Sequence, residues 1–408
     1  MKKFKKIQLV VATAALTLSS VLGATVSVSA NQGFDDTSIK VGNSAAISGA
    51  YAPVGDPFNN GIMAYFDMVN TEGGVDGREI QFVHIDDEFD PAKGKAALQT
   101  LVEDEEIFAL VGHFGTPVVA ATINDIKAYG IPAVYFATGI GQLYANPAEG
   151  ADRVIMPVQP IYITEGEMMV SRAVGNFDAT KIGIIYTTDD AGNDMLAGAT
   201  QKAEELGIEL VAEQVAAGAT DVSAAVTSVL QEDVDFIIGA AIQQTFPTIV
   251  KALAAQGNTS DVITTYVNVD ASIASQVWGD IEGNFEVYGN GWVDLTSEEA
   301  QTNLALMNEW IVDDYDNNVY AMTGWIAAHF FTEGLRRMEG QELTWDGYID
   351  AMESEPVKNP FGGVIDFSNG QRLGTQEMNL SRISGETTWE EIEPLRSSAD
   401  ILSGVSAE

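Results

Sequence analysis

The sequence predicts an α/β protein made of two lobes, each with a largely parallel sheet covered by helices. Short apolar runs alternate with helical segments of about 10 to 15 residues, which is typical of parallel strands joined by crossover helices. This alternation stops at the proline-marked stretch 157–160 and then starts again. A chain of 408 residues also exceeds the usual size of a domain with a single core.

The first block of alternating elements covers residues 39–136. Its clearest helix start is Asp90, a residue type that caps helices, followed by Pro91, which is favoured in the first turn. The predicted strands are 39–47, 79–85, 108–112 and 133–136, and the predicted helices are 59–70, 91–103 and 117–129.

The second block repeats the pattern, and the chain then becomes mainly helical before it ends in strands. Gly385 marks a hairpin turn near the end. The predicted helices are 164–176, 195–206, 222–230, 246–255, 297–313, 322–338 and 345–352, and the predicted strands are 181–186, 209–215, 236–240, 262–266, 363–367, 377–383 and 387–389.

The N-terminus has the order of a secretory signal. Lysines at positions 2, 3, 5 and 6 precede an apolar run at 7–22, and small residues lead to Ala30. We expect residues 1–30 to be removed. The alternative is a membrane anchor, but the run is shorter than the roughly 20 residues of a spanning helix. Thr25 stands where a bacterial lipobox has its cysteine, so we expect no lipid anchor.

Composition excludes several classes of function. The chain has no cysteine, which excludes disulfides, thiolate catalysis and zinc–thiolate sites. A net charge of −39 disfavours binding to nucleic acid. The three histidines, His84, His113 and His329, lie far apart and without a nucleophile or metal motif beside them, so we expect neither an enzyme nor a cofactor. The acidic segment 86–90 suggests a metal site, but its spacing matches no calcium loop, and we expect none.

Several junction motifs follow one another in a recognisable order. Ser48, Gly49 and Gly55 form a first loop, and segment 70–78 reads Asn-x-x-Gly-Gly-x-x-Gly-Arg. Further junctions lie at 86–91, 112–117 and 131–132. Over residues 39–389 the chain resembles the branched-chain amino-acid (Leu/Ile/Val) binding proteins of ABC transporters.

The resemblance implies the type I periplasmic binding protein fold, in which two Rossmann-like lobes with parallel sheets are joined by a three-crossing hinge. The crossings fall near residues 157–160, 289–292 and 361–367. The expected N-lobe is 31–157 plus 292–362, and the expected C-lobe is 158–291 plus 363–408.

The resemblance also implies a function. We expect an extracytoplasmic solute-binding protein of an ABC importer that binds a small amino-acid-like or carboxylate ligand between the lobes and delivers it to a membrane permease. We expect a monomer, exported to the periplasm or the medium. A sensor that presents its closed form to a membrane receptor is the alternative, which the sequence leaves open.

One end of the expected site suits a carboxylate. Residues 112–117 and 136–139 follow predicted strands, and ligands of parallel sheets bind beyond the carboxyl ends of strands. Helix N-termini there offer N–H groups and a partial positive charge. We expect contacts from Thr116, Ala137, Thr138 and Gly139, while a helix cap at Thr116 and a plain turn at 137–139 stay open as alternatives.

The other end departs from the family pattern. The expected acidic position carries Val267 or Asn268, and an ammonium buried without a partner is costly. We therefore predict that the ligand is not leucine, isoleucine or valine bound in the family's usual way. If the loops are shifted by a few residues, Asp189, Asp190 or Asp270 would supply the negative charge for an ammonium group and restore that mode. Tyr51, Tyr320 and Trp325 are aromatic residues that either contact the ligand or pack in the core. The family spacing places contacts at Tyr51, Val54, Asp190, Ala191, Ile242, Gln243, Asn268, Asp270 and Tyr320.

Overall fold

A computed structural model describes residues 32–403, apart from the side chain of Asp313. The predicted signal segment 1–30 lies outside the described residues. No helix in the described part of the chain is long and apolar enough to cross a membrane.

Fourteen strands and twelve α-helices make up the described chain. The strands are β1 (Ser38–Ala45), β2 (Glu79–Asp86), β3 (Ala109–Phe114), β4 (Ala133–Ala137), β5 (Ile155–Met156), β6 (Lys181–Thr187), β7 (Glu209–Val215), β8 (Phe236–Ala240), β9 (Asp261–Thr264), β10 (Val287–Gly291), β11 (Val357–Lys358), β12 (Val364–Ile365), β13 (Met378–Gly385) and β14 (Thr388–Arg396). The helices are α1 (Ala52–Thr71), α2 (Pro91–Gln99), α3 (Thr116–Tyr129), α4 (Tyr162–Phe177), α5 (Asp190–Leu206), α6 (Ser223–Gln231), α7 (Thr245–Ala255), α8 (Ala271–Ile281), α9 (Glu298–Trp310), α10 (Val319–Arg337), α11 (Trp345–Ser354) and α12 (Ser398–Leu402).

The strands form two main sheets. The first has the order β2-β1-β3-β4-β5 and is parallel throughout. The second has the order β14-β13-β10-β9-β8-β6-β7, in which β6 to β10 are parallel and β13 and β14 are antiparallel. The α/β fold with mainly parallel sheets is as predicted.

The apolar cores follow the two sheets. One core joins buried residues within 39–158 to others within 292–367, so the late helices α9 to α11 cover the first sheet. The remaining cores lie within 162–402, around the second sheet. The lobe boundaries expected above stay a proposal; the first core extends to Phe367, beyond the expected boundary at residue 362.

Local signals account for most helix starts. The Asp90 carboxylate accepts hydrogen bonds from the N–H groups of Ala92 and Lys93 at 2.8 and 3.0 Å, with Pro91 in first position, as predicted. The hairpin at Gly385 is also confirmed. Helix α8 and strand β10 were not predicted, and α1 begins at Ala52 rather than at residue 59.

Candidate ligand-binding cleft

A cavity lies between the two sheets, beyond the carboxyl ends of strands from both. Gly115 and Ala137 border it at the ends of β3 and β4, and Ile242 and Tyr266 border it after β8 and β9. The centre of a water molecule can occupy about 90 Å³ of this cavity, within about 710 Å³ of space that continues toward solvent. Parallel α/β sheets commonly bind ligands at this edge.

The start of α3 forms one wall. Gly115 adopts φ 93° and precedes the first helical residue, Thr116. A Cβ on Gly115 would lie 2.7 Å from the Phe89 ring, so the backbone approaches closely here only because the residue is glycine. Thr116 Oγ1 shares a 2.9 Å hydrogen bond with Thr138 Oγ1 and does not cap the helix. The wall therefore includes the N-terminus of a helix, at Thr116.

The loop after β8 forms the opposite wall. Gln243 adopts φ 50°, and its backbone N–H donates to Asn268 Oδ1 at 2.8 Å. Asn268 is fully buried and donates from Nδ2 to Ala241 O and Thr264 Oγ1, both at 2.8 Å. Asn268 thus holds the loop from behind rather than facing the cavity.

Gln243 also connects the two lobes across the cavity. Its Nε2 donates to Tyr320 Oη on α10 at 3.2 Å and to Val267 O at 3.3 Å. The side chain therefore forms part of the cavity wall. It connects the loop after β8 of the second sheet to helix α10, which packs on the first sheet.

The first expected hinge crossing also borders the cavity. Tyr135 Oη donates to Gln159 Oε1 at 2.8 Å, and Gln159 Nε2 donates to Tyr266 Oη at 2.7 Å. Tyr266 Oη in turn donates to Pro160 O at 3.2 Å. The amide of Gln159 is therefore fixed between two tyrosines.

Aromatic rings dominate the wall. Tyr51 and Phe89 are stacked with ring centroids 3.7 Å apart and an interplanar angle of 15°. Tyr162 and Tyr266 lie nearly parallel at 6.1 Å and 22°. The other aromatic residues of the wall are Phe58, Phe114, Trp292 and Tyr320.

The wall carries no charge. Among the described residues, no Asp, Glu, Lys, Arg or His lines the cavity. Burial raises the pKa of Tyr162 to about 12 and moves the pKa values of Tyr266 and Tyr320 upward as well. All three phenols are therefore neutral at physiological pH.

A buried carboxyl lies behind the wall. Glu165 accepts hydrogen bonds from Thr265 Oγ1 at 2.7 Å and from the backbone N–H of Tyr266 at 2.6 Å. Burial raises its pKa to about 8, although these donors act in the opposite direction. The protonated, neutral form therefore dominates at neutral pH.

Seven of the residues proposed from the sequence line the cavity, and six do not. Thr138 and Asn268 lie behind the wall, and Gly139 accepts a hydrogen bond at its carbonyl from Tyr162 N. Ala191 is buried in a core, and Trp325 packs against Tyr65. The seven that line the cavity are Tyr51, Val54, Thr116, Ala137, Ile242, Gln243 and Tyr320.

The three carboxylates considered as ammonium partners lie elsewhere. Asp189 caps α5 by accepting from Gly192 N at 3.0 Å, and also accepts from Thr187 Oγ1 at 2.7 Å. Asp270 caps α8 by accepting from Ser272 N at 2.8 Å. Asp190 is exposed in the first turn of α5. None of the three lines the cavity.

Sequence reasoning did not select several wall residues. Some follow junctions that it did identify: Phe89 comes after the acidic segment, and Gln159 and Tyr162 flank Pro160. An aromatic residue beside a junction or a hinge proline was therefore an available signal. Val267 was considered only as a candidate for the acidic position, and the other unselected wall residues are Phe58, Phe89, Phe114, Gly115, Gln159, Tyr162, Tyr266, Trp292, Val319 and Thr323.

Comparison with known proteins identifies relatives over most of the chain. The family described as Periplasmic binding protein matches residues 38–387. A Leu/Ile/Val-binding protein homolog 2 from Brucella abortus is 25% identical over 252 residues, which is 62% of this chain and 67% of that protein.

Two solved structures share the architecture. A fatty acid ABC transporter substrate-binding protein from Thermomonospora curvata superposes with a TM-score of 0.79 at 19% identity, covering 93% of this chain and 97% of the other. A branched-chain amino acid ABC transporter protein from Thermus thermophilus with bound valine superposes with a TM-score of 0.76 at 17% identity, covering 90% of this chain and 99% of the other. At these identities the two superpositions show the fold.

Proposed function

Since this chain belongs to the periplasmic binding protein family, we propose that it is the extracytoplasmic solute-binding protein of an ABC importer. The family consists of solute-binding proteins rather than enzymes. In this proposal the protein is exported, acts as a monomer, and passes a small amino-acid-like or carboxylate ligand to a membrane permease.

The observation that carries the proposal is the cavity itself. It lies between the two sheets and takes its wall from both, with Thr116 on one side and Gln243 on the other. A ligand bound there contacts both lobes only when they are closed, so it favours the closed form through its differential affinity. Closure also removes water, which strengthens each polar contact.

The start of α3 supports a carboxylate on the ligand. The first N–H groups of a helix have no partner within the helix, and the helix dipole favours negative charge there. Gly115 and Thr116 bring this helix end to the cavity. The relatives agree with this chemistry, since the Thermus protein holds valine and the Thermomonospora protein is named for fatty acids.

Uptake in living cells tests the transport role. Deletion of the gene should abolish uptake of the radiolabelled ligand found by a thermal-shift screen, and the wild-type gene should restore it. If the deletion leaves uptake intact but removes a response to the same ligand, the protein is a sensor and the transport proposal is wrong.

A further inference from the structure

We propose that the ligand carries an aromatic ring and no ammonium group, so that the cleft binds a single-ring aromatic carboxylate rather than an α-amino acid. The inference rests on the proposed function, because it names the ligand class of the same site. It is carried by the charge, the hydrogen bonding and the ring content of the cavity wall.

The wall offers no carboxylate that would pair with an ammonium group. An ammonium group has three donors and needs acceptors or a negative charge when it is buried. Within the described part of the chain, the wall contains no carboxylate, and Asp189 and Asp270 each use one carboxylate oxygen to cap a helix. Two buried acids lie behind the wall: Glu165 accepts from Thr265 and Tyr266, and Asp87 accepts from the backbone N–H of Phe89.

The polar side chains of the wall are also largely committed to one another. Gln159 bridges Tyr135 and Tyr266 with its oxygen and its nitrogen. Gln243 Nε2 donates to Tyr320 and to Val267 O. These bonds leave few polar groups for the middle of a ligand, so that part of the ligand is apolar.

The remaining surface suits a ring. Eight of the eighteen wall residues are aromatic, and the pair Tyr51–Phe89 and the pair Tyr162–Tyr266 present nearly parallel rings. Ring pairs are stabilised beyond the burial of their area, in stacked or edge-to-face arrangements.

Two matched ligand pairs test the inference by calorimetry on the purified, ligand-stripped protein. 3-Phenylpropanoate and phenylalanine differ only in the ammonium group, and benzoate and cyclohexanecarboxylate differ in aromaticity at similar size. We expect 3-phenylpropanoate to bind at least roughly 10-fold tighter than phenylalanine, and benzoate roughly 3- to 10-fold tighter than cyclohexanecarboxylate.

A variant pair locates the effect. Tyr51→Leu removes a ring from the rim of the cavity, and Tyr51→Phe keeps it. We expect Tyr51→Leu to weaken benzoate roughly 3- to 10-fold, and Tyr51→Phe, which keeps the ring, to weaken it less than Tyr51→Leu does. Tyr144→Leu, at a residue that is 53% exposed and outside the cavity, should change nothing.

The outcomes separate the inference from the proposed function. The inference is overturned if leucine, phenylalanine or glycine betaine binds more tightly than the aromatic carboxylates, or if benzoate and cyclohexanecarboxylate bind equally. The solute-binding role stands in either case. If no small molecule of any class binds, both proposals fail.

Discussion

The hydroxyl of Thr116 has either a role in ligand binding or a structural role alone, and a mutation separates the two. The side chain is only 7% exposed, bonds Thr138, and occupies the first helical position rather than the cap. Thr116→Ala should therefore weaken ligand binding by about 1–3 kcal/mol, as expected when a buried hydrogen bond is lost. Calorimetry measures the affinity, and Thr116→Ser, which keeps the hydroxyl, is the control. A drop in melting temperature with unchanged affinity would leave Thr116 with a structural role alone.

Glu165 makes the stability of the folded protein depend on pH, and its raised pKa gives the direction of the change. Its pKa rises from the ordinary 4.5 to about 8 on folding, chiefly because of burial. The folded state therefore holds more protons than the unfolded state between these values, and its stability falls as pH rises through them. Glu165→Gln keeps the side chain neutral and should remove this contribution.

Urea unfolding at several pH values measures the effect. The stability of the wild type relative to Glu165→Gln should fall by up to about 1.4 kcal/mol per pH unit across this range. Glu393→Gln serves as a second carboxyl variant, because Glu393 lies near the surface and pairs with Arg172. A wild-type curve parallel to that of Glu165→Gln would show that Glu165 is ionised in the folded protein.

Single residues were predictable from the sequence where local chemistry decides their role. Asp90 as a cap and Thr116 at the cavity required only a strand, a turn and a helix start. Asp270 and Ala191 were placed by spacing alone, and the structure puts them outside the cavity, as a cap and as a core residue. Spacing fails there because a shift of one or two residues turns a side chain from the cavity to the interior.

At the scale of elements, one contact joins the loop after β4 to helix α5 on the other sheet. Asp194 Oδ2 accepts from the backbone N–H of Gly141 at 2.6 Å, outside the cavity. Because the contact exists only when the lobes meet, Asp194→Ala should favour the open form. We expect the affinity for ligand to fall by about 1 kcal/mol, as for a hydrogen bond lost without an altered site.

The neighbouring Asp190 provides the control for this prediction. Asp190 is exposed in the same helix, and its carboxylate does not line the cavity, so Asp190→Ala should leave the affinity unchanged. Calorimetry on both variants decides the matter. Equal affinities for Asp194→Ala and the wild type would mean that this contact does not stabilise closure.

Helices and strands were predictable where the apolar pattern was strong and a cap marked the start. Helix α8 was missed although Asp270 caps it and its buried face, including Ile273, Val277 and Ile281, has helical spacing. The first turns of α1 were missed because Pro53, Gly55 and Pro57 are typical of loops. Pro53 costs little in the first turn, since the first N–H groups have no partner within the helix, whereas Pro57 lies inside the helix and removes one backbone hydrogen bond.

For the whole molecule, the sequence predicted two lobes because two blocks of alternating elements exceed one core in size. The late helices pack on the first sheet, as the resemblance implied and as local pattern alone did not show. The aromatic cavity depends on residues from distant parts of the chain, such as Tyr51, Tyr162 and Tyr320, which only the folded structure brings together.

The central claim is that the protein captures its ligand by closure of the two lobes. Small-angle X-ray scattering with and without a saturating ligand, whose binding is first verified by calorimetry, tests it most directly. We predict a smaller radius of gyration for the bound protein and a bound curve that matches this structure, in which Gly141 and Asp194 are in contact. Identical scattering curves in the presence of verified binding would contradict capture by closure.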